Sequence, residues 1–364
     1  MRNDANIEHI QTRAFRIPTD AVEADGTISW NATALVVVEI VAGGKSGLGC
    51  TYAGRATAAV VEDVLKGVVL GEDAFAVPKL WSGMVGAVRN LGWRGACACA
   101  ISAVDIALWD LQARLLDIPL ARLLGQARDR VAIYGSGGFT SYHVDRLQAQ
   151  LARWVEQDGC AWVKMKVGSS PEDDLARVRA ARAAIGGAEL YVDANGAYTP
   201  KQALQFAHAF ADVGVRWFEE PVSSDDLDGL RLIRDHGPPG MEVAAGEYGY
   251  EPFYFRRMLE AGAVDVLQAD ATRCGGYTGF LKAATLADAW SLPLSAHTAP
   301  ALHLPVCCAA PRVRNVEWFH DHARIERMVF EGAPVPRGGF IEPDLNQPGH
   351  GLTFKESEAM RLAA

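Results

Sequence analysis

The spacing of apolar positions changes along the chain, and the changes mark its organisation. The segments "IEHIQTRAFRIP" and "ATALVVVEIVAGGKSGLGCTYA" read as antiparallel strands joined by Gly-rich turns. Helical spacing follows in "AAVVEDVLKGVVL" and in "ACACAISAVDIALWDLQARLL". Strands followed by helices predict an α+β unit over residues 1–125, ended by "DIPLARLLG" with Gly125 as a helix stop.

From Val131 the rhythm becomes a strict alternation. Short apolar strands are predicted at "VAIYGS", "WVKMKV", "ELYVDA", "VRWFEE", "EVAAGE", "VDVLQAD", "PLSAHT" and "NVEWF". Amphipathic segments such as "HVDRLQAQLARWVEQ" and "PKQALQFAHAFADV" separate them. Eight such strands over residues 126–322 fit a parallel (β/α)-type barrel, with an open doubly wound sheet as the competing arrangement. The glycines of "GSGGF" and "RCGGYTG" lack dinucleotide-binding spacing and read as turns after strands. From Ala323 the chain shows little periodicity, and residues 323–364 are expected to pack back on the first unit as irregular chain.

Composition narrows the function classes. The 364 residues carry 49% apolar and 22% charged side chains, an ordinary globular balance. The net charge of −9, without a basic block, gives no nucleic-acid footprint. Seven cysteines, an odd number with no zinc or disulfide-framework spacing, are expected as buried thiols in a reducing cytoplasm. The amino-terminal "MRNDANIEHI" has no apolar core of a signal peptide. Apolar runs such as "ALVVVEIVA" are too short or too polar to span a bilayer, so no membrane partner is expected.

The strand "WVKMKV" poses a chemical problem. Lys164 and Lys166 are two apart, so both ammonium groups point to one face of an apparently buried strand. In a barrel, reactive groups gather at the carboxyl ends of the strands. Ionisable residues fall there in succession: Lys164 and Lys166, Asp193, Glu219 and Glu220, Glu247, Asp270, His297 and Glu317. Three carboxylates converging from Asp193, Glu219 and Glu247 repel unless a cation joins them, and oxygen ligands suit Mg²⁺. The two lysines are expected to depress each other's pKa, freeing one as a base. Asp270 beside His297 orients the imidazole and raises its basicity. Lys166 and His297 are then expected to face each other across the barrel, an arrangement suited to proton removal beside a metal-bound carboxylate.

Taken singly, these motifs have bland readings. K-x-K occurs on exposed strands, "DANG" is a turn, and His297 alone reads as a core histidine. Glu220 reads as structural, "HDH" at His320 and His322 as a solvated loop, and Arg273 as a buried ion-pair partner. Together the K-x-K, D-x-N, EEP, GE, D-x-x-x-x-GG, late His and final Glu motifs resemble the enolase superfamily, its mandelate racemase subgroup most closely. The resemblance implies an α/β fold, a (β/α)7β TIM-like barrel under an N-terminal α+β capping domain. It implies one Mg²⁺ per subunit on Asp193, Glu219 and Glu247. Lys166 and the His297–Asp270 pair become the acid/base groups. Lys164 and Glu317 bind the substrate carboxylate, and Asn195 lies nearby. It also implies a small-molecule carboxylate substrate and a homo-oligomer, dimer or octamer.

The Asp270–His297 pair departs from the muconate-lactonising and dipeptide-epimerase branch, which resembles this one but has a Lys at the end of strand six. Two reactions share the remaining parts: dehydration of an acid sugar and racemisation or epimerisation of a 2-hydroxy acid. A non-catalytic binding protein on the same scaffold is disfavoured because every expected position is filled. The segment "TDAVEADGTISW", residues 19–30, is where the family closes over substrate. It offers Asp20, Glu23, Asp25, Thr27 and Ser29, which suits a hydroxylated substrate. Charges on Glu23 and Asp25 would repel a distal carboxylate, favouring a monoacid over a diacid such as galactarate. Trp30 and Tyr52 are expected either as an apolar wall of the substrate site or as core residues.

Overall fold

The computed structural model describes residues 5–362. Strand β1 (His9–Ala24) pairs antiparallel with β2 (Ser29–Ala42), and β2 with β3 (Lys45–Thr51). Both faces of this sheet are buried, and period-two alternation sorts its side chains. Val36, Val38 and Ile40 pack with Val61, Leu80 and Met84 in a core of their own. Leu35 and Val37, with Phe15 and Ile17, join the core that continues into the barrel. The helix Ala96–Leu115 is long and apolar enough to cross a membrane by length and composition, yet 83% of its apolar window is buried. It packs between β3 and the helix Gly276–Ala289, as a core helix does.

The barrel strands are β4 (Val131–Gly137), β5 (Trp162–Lys166), β6 (Glu189–Asp193), β7 (Val215–Glu219), β8 (Glu242–Ala245), β9 (Val266–Ala269), β10 (Leu294–Ala296) and β11 (Val313–Phe319). They lie parallel in chain order, and β11 pairs with β4 to close the ring. This is the arrangement the alternation predicted, and closure removes the open-sheet alternative. Inward positions two residues apart form layers. Tyr134, Tyr191, Trp217, Ala244 and Val266 make an aromatic floor, with the Tyr191 and Trp217 rings stacked at 4.7 Å. Two residues further along their strands come Ser136, Asp193 and Glu219, lifted to the mouth.

The tail differs from the sequence expectation. Residues His320–Val329 form a helix, and Glu356–Leu362 another, where irregular chain was predicted from Ala323. The first was hidden because half of its buried side chains are polar: Asp321, His322 and Glu326 are buried beside Ala323, Ile325 and Val329. Later, Phe340–Ile341 pairs antiparallel with the start of β4. Glu356 pairs with Arg13 of β1 at 2.7 Å, and His350 donates its backbone N–H to Asp110 at 2.8 Å. All seven cysteines are buried and unpaired.

Glu326 gives this packing a pH signature. It accepts from the Ala301 N–H at 3.1 Å, its other oxygen has no partner, and burial pushes its pKa up to about 8. Between its ordinary 4.5 and about 8 the folded state holds a proton that the unfolded chain has lost. Stability therefore falls as pH rises through that window and levels off above it. Glu326→Gln is expected to raise the thermal midpoint by a few degrees at about pH 8.5 and to change it little near pH 5, measured by calorimetry.

Candidate active site

The strand ends deliver a closed set of ionisable side chains. Asp193 ends β6, Glu219 ends β7, and Glu247 follows β8; all three are buried, and each offers an oxygen within 4.8 Å of the others. Gly246 brings Glu247 into place. Its φ is +139°, and a Cβ there would lie 2.0 Å from the Gln268 carbonyl oxygen, so only glycine fits. Asn195, Glu220 and Thr298, each just beyond a strand, also have positive φ without being glycine. Such strain collects where function fixes the backbone.

Lys164 and Lys166 do share one inward face, and both are buried. Lys164 Nζ pairs with Glu219, lies 2.9 Å from Glu317 and 3.4 Å from Asp193, and sits over the Tyr134 ring. Lys166 Nζ donates to Asp193 at 2.5 Å and to Asn195 Oδ1 at 3.0 Å. The expectation of a depressed lysine is corrected here. Burial works against both ammonium groups, but the carboxylates outweigh it: Glu219 and Glu317 for Lys164, Asp193 for Lys166. Both pKa values are raised. The like charge of Lys164 lowers Lys166, but less than Asp193 raises it. Asp193 responds in kind: burial pushes it up, and the two lysines bring it well below the usual carboxylate range.

The imidazole is fixed from the other side. His297 Nδ1 lies 2.8 Å from Asp270, which leaves Nε2 turned to the cluster, 3.4 Å from Glu247 and 3.7 Å from Glu317. Asp270 is itself built in. It accepts from the Thr272 N–H at 2.7 Å, and Arg273 lies 3.6 Å from both Asp270 and Glu247. Glu317 accepts from Ser136 Oγ at 2.5 Å and from the Thr298 N–H at 3.0 Å. Burial resists its charge, but Lys164 and His297 bring its pKa down to about 2. Ser136, Thr298 and Trp217, whose Nε1 donates to Glu219 at 3.0 Å, were not singled out in the sequence. The alternation with Asp193, Glu219 and Glu317 was the available signal for Ser136 and Trp217.

A divalent cation fits the donor set. The carboxylates of Asp193, Glu219, Glu220, Glu247 and Glu317 outnumber the nearby cations Lys164, Lys166 and Arg273. One oxygen of Glu247 and one of Glu220 are buried with no hydrogen-bond partner. Burial pushes Glu219 well above the usual carboxylate range against the opposing charge of Lys164, and burial with the charge of Glu247 does the same to Glu220. All-oxygen donors with surplus negative charge suit a hard dication.

The hairpin at residues 19–30 lies over the barrel mouth, but its polar groups are engaged differently from the sequence expectation. A Cβ on Gly26 would lie 2.4 Å from Ala194 O and 2.7 Å from Val167 O, so the hairpin tip rests on the ends of β5 and β6. Asp25 is spent on its own turn, accepting from the Thr27 N–H at 2.6 Å and the Ile28 N–H at 2.8 Å. Asp20 lies 3.1 Å from His320. Glu23 is fully buried and accepts from Trp30 Nε1 at 2.8 Å. Burial and Asp321 push its pKa up to about 8, and its other carboxylate oxygen is buried without a hydrogen-bond partner. Trp30 packs edge-on to Phe139 at 5.7 Å, and Tyr52 stacks on His322 at 3.4 Å. His320 and His322 open a helix and are largely buried, not solvated. Gly26→Ala is expected to lift the tip. The Thr140 amide, which donates to Ala24 O at 2.9 Å, should then exchange with deuterium at least about tenfold faster.

Sequence and structure comparisons agree with this site. A family model described as mandelate racemase / muconate lactonizing enzyme, N-terminal domain, matches residues 14–125, and one described as enolase C-terminal domain-like matches residues 146–358. The chain is 34% identical to a 3,6-anhydro-alpha-L-galactonate cycloisomerase of Streptomyces coelicolor, over 98% of this chain and 99% of that one. It is 31% identical to an arabinonate dehydratase of Saccharolobus solfataricus, over 85% and 83%. A mandelate racemase/muconate lactonizing enzyme-like protein from Rubrobacter xylanophilus superposes with a TM-score of 0.96 at 50% identity, over 99% and 100%. An L-talarate dehydratase from Polaromonas sp. JS666, complexed with Mg and L-glucarate, superposes with a TM-score of 0.87 at 30% identity, over 99% and 97%. The chain belongs to the mandelate racemase / muconate lactonizing enzyme family of the enolase superfamily.

Proposed function

We propose that this protein is a Mg²⁺-dependent lyase that removes the proton α to the carboxylate of an acid sugar and expels the β-hydroxyl, giving a 2-keto-3-deoxy acid. The observation that carries this reading is the flanking of the carboxylate triad by two different acid/base groups. Lys166 touches it at Asp193, and His297 Nε2 approaches it at Glu247. Relatives with the same architecture include a dehydratase bound to Mg and an acid sugar. In this reading Asp193, Glu219 and Glu247 hold the ion, with residues 126–322 forming the catalytic unit and 1–125, joined by the tail, its cap. The ion supplies the positive charge that offsets the second negative charge developing on the substrate carboxylate.

The chain's own groups do the rest. Lys164 and Glu317 position the substrate carboxylate, Glu317 being held by Ser136 and Thr298. Lys166 takes the α-proton, and the electrons of that C–H bond form a carbon–carbon double bond. The β C–O bond breaks with its electron pair, and His297 delivers the proton that releases water. Asp270 holds the imidazole through Nδ1 and keeps Nε2 turned to the cluster. The resulting enol tautomerises to the ketone. Lys166 owes its raised pKa to Asp193. Once that charge is engaged by a dication, burial and Lys164 both lower it. This would leave more of the amine neutral and able to accept the α-proton.

The second reading, racemisation or epimerisation, uses the same two groups as alternate bases. It is favoured by their placement at opposite ends of the triad. We further place the protein in the cytoplasm, on its buried free thiols, and as a homo-oligomer, dimer or octamer, on family likeness.

The readings separate in D2O with Mg²⁺ and a panel of acid sugars. Dehydration predicts a product lighter by one water. Lys166→Ala should lose α-proton exchange by about 10²–10⁴-fold, while His297→Asn keeps exchange and loses product. Racemisation predicts α-deuterated substrate with its hydroxyl retained, each variant exchanging only one epimer. No exchange with any acid contradicts both.

A further inference from the structure

The helix Ala96–Leu115 is apolar over most of its length, yet one stripe of it is polar. Ser102, Asp105 and Trp109 are spaced three and four residues apart, so their side chains share a face. Ser102 and Asp105 are fully buried, and such groups are costly unless partners meet them. The partners lie across the boundary with the barrel. Ser102 Oγ accepts from the Gly275 N–H at 2.8 Å. Asp105 accepts from the Thr278 N–H at 2.9 Å and from Thr278 Oγ1 at 2.6 Å, and Trp109 Nε1 donates to the same hydroxyl at 3.0 Å. Two more cap residues join in. Trp81 Nε1 donates to the Gly275 carbonyl at 2.8 Å, and Thr51 Oγ1, at the end of β3, donates to the Thr272 carbonyl at 2.6 Å.

All these partners fall within residues 272–278, the segment that runs from β9 into the helix Gly276–Ala289. Its two glycines permit the close approach. Their φ values are +91° and +76°, and a Cβ on Gly276 would lie 2.3 Å from Asp105 Oδ2. The segment begins two residues after Asp270, and Thr272 is the joint between them. Its N–H donates to Asp270 Oδ1 at 2.7 Å, while its carbonyl is the one that Thr51 holds. The Cys274 N–H donates to the Asp270 backbone carbonyl at 2.8 Å. Asp270 Oδ2 in turn lies 2.8 Å from His297 Nδ1. Polar contacts therefore run without a break from the cap to the imidazole. Lys166 is held by Asp193 and Asn195 instead.

We propose that Thr51, Ser102 and Asp105 are positioning residues, through which the cap clamps residues 272–278 and so fixes Asp270 and the approach of His297 Nε2 to the substrate. The inference rests on the proposed role of His297. It makes the cap a working part of the acid step, because proton delivery depends on holding the donor in place to a fraction of an ångström.

The test compares Thr51→Val and Asp105→Asn, which keep the shape of each side chain and remove its bond to the segment, with Thr51→Ser, which keeps the hydroxyl. In D2O with Mg²⁺ and a panel of pentonates and hexonates, product formed per α-proton exchanged should fall at least about tenfold in the first two variants. Thr51→Ser should stay within about twofold of wild type. If wild type racemises instead, the first two variants should lose exchange of one epimer only. The Thr272 and Cys274 amides should exchange with deuterium at least about tenfold faster in both, while the Lys166 amide, which donates to Gly138 O at 3.1 Å, keeps its rate. Equal loss of both proton steps overturns the inference, as do unchanged Thr272 and Cys274 amides or a product ratio within about twofold of wild type. Where Asp105→Asn fails to fold, Thr51→Val decides. Absence of turnover by wild type with every acid overturns the proposed reaction, and the amide rates then decide the clamp by themselves.

Discussion

Charge confinement at the mouth of a closed barrel organises this molecule. The ring of parallel strands leaves no edge through which water can solvate the interior, so every charge there must find a partner within it. Asp193, Glu219 and Glu317 point inward because period-two alternation leaves them no other direction once the aromatic floor of Tyr134, Tyr191 and Trp217 is set, and Glu247 is turned in by the φ of +139° at Gly246. Lys164 and Lys166 are in the strand for the same reason. Their ammonium groups are held among carboxylates, and the negative charge left over, concentrated where Glu247 and Glu220 have unpartnered oxygens, is what a dication would satisfy.

The same confinement fixes the imidazole. Asp270 is held by the Thr272 N–H and faced by Arg273, so its carboxylate cannot turn away from His297 Nδ1. His303 supports the same loop by accepting from the Ala271 N–H at 2.8 Å. The result is an asymmetric pair: an amine held by a carboxylate of the triad, and an imidazole held by a carboxylate outside it. Asymmetry of this kind suits a reaction with distinct base and acid steps.

Much of the architecture was legible in the sequence because strand alternation and helix spacing report burial directly. All eight barrel strands, and the inward placement of Lys164 and Lys166, follow from period two. The helix at His320–Val329 was not legible, since polar side chains make up half of its buried face. The state of the lysines was not legible either: the sequence shows two like charges two residues apart, but not that Glu219, Glu317 and Asp193 lie closer to them than any other charge. The hairpin's contacts were not legible either: Asp20, Asp25 and one oxygen of Glu23 meet His320, a local turn and Trp30, partners set by tertiary folding alone. Glu220 was passed over as structural, and only the three-dimensional arrangement shows its unsatisfied oxygen.

The central claim is that three strand-end carboxylates form one cation site on which the acid/base pair converges. Calorimetric titration of Mg²⁺ into the metal-stripped protein, beside Glu219→Gln, tests it most directly. The account predicts one ion bound per chain in the wild type and affinity weakened by at least about tenfold in the variant, with the fold retained. Equal Mg²⁺ affinity in both proteins, or no binding by the wild type, would contradict it.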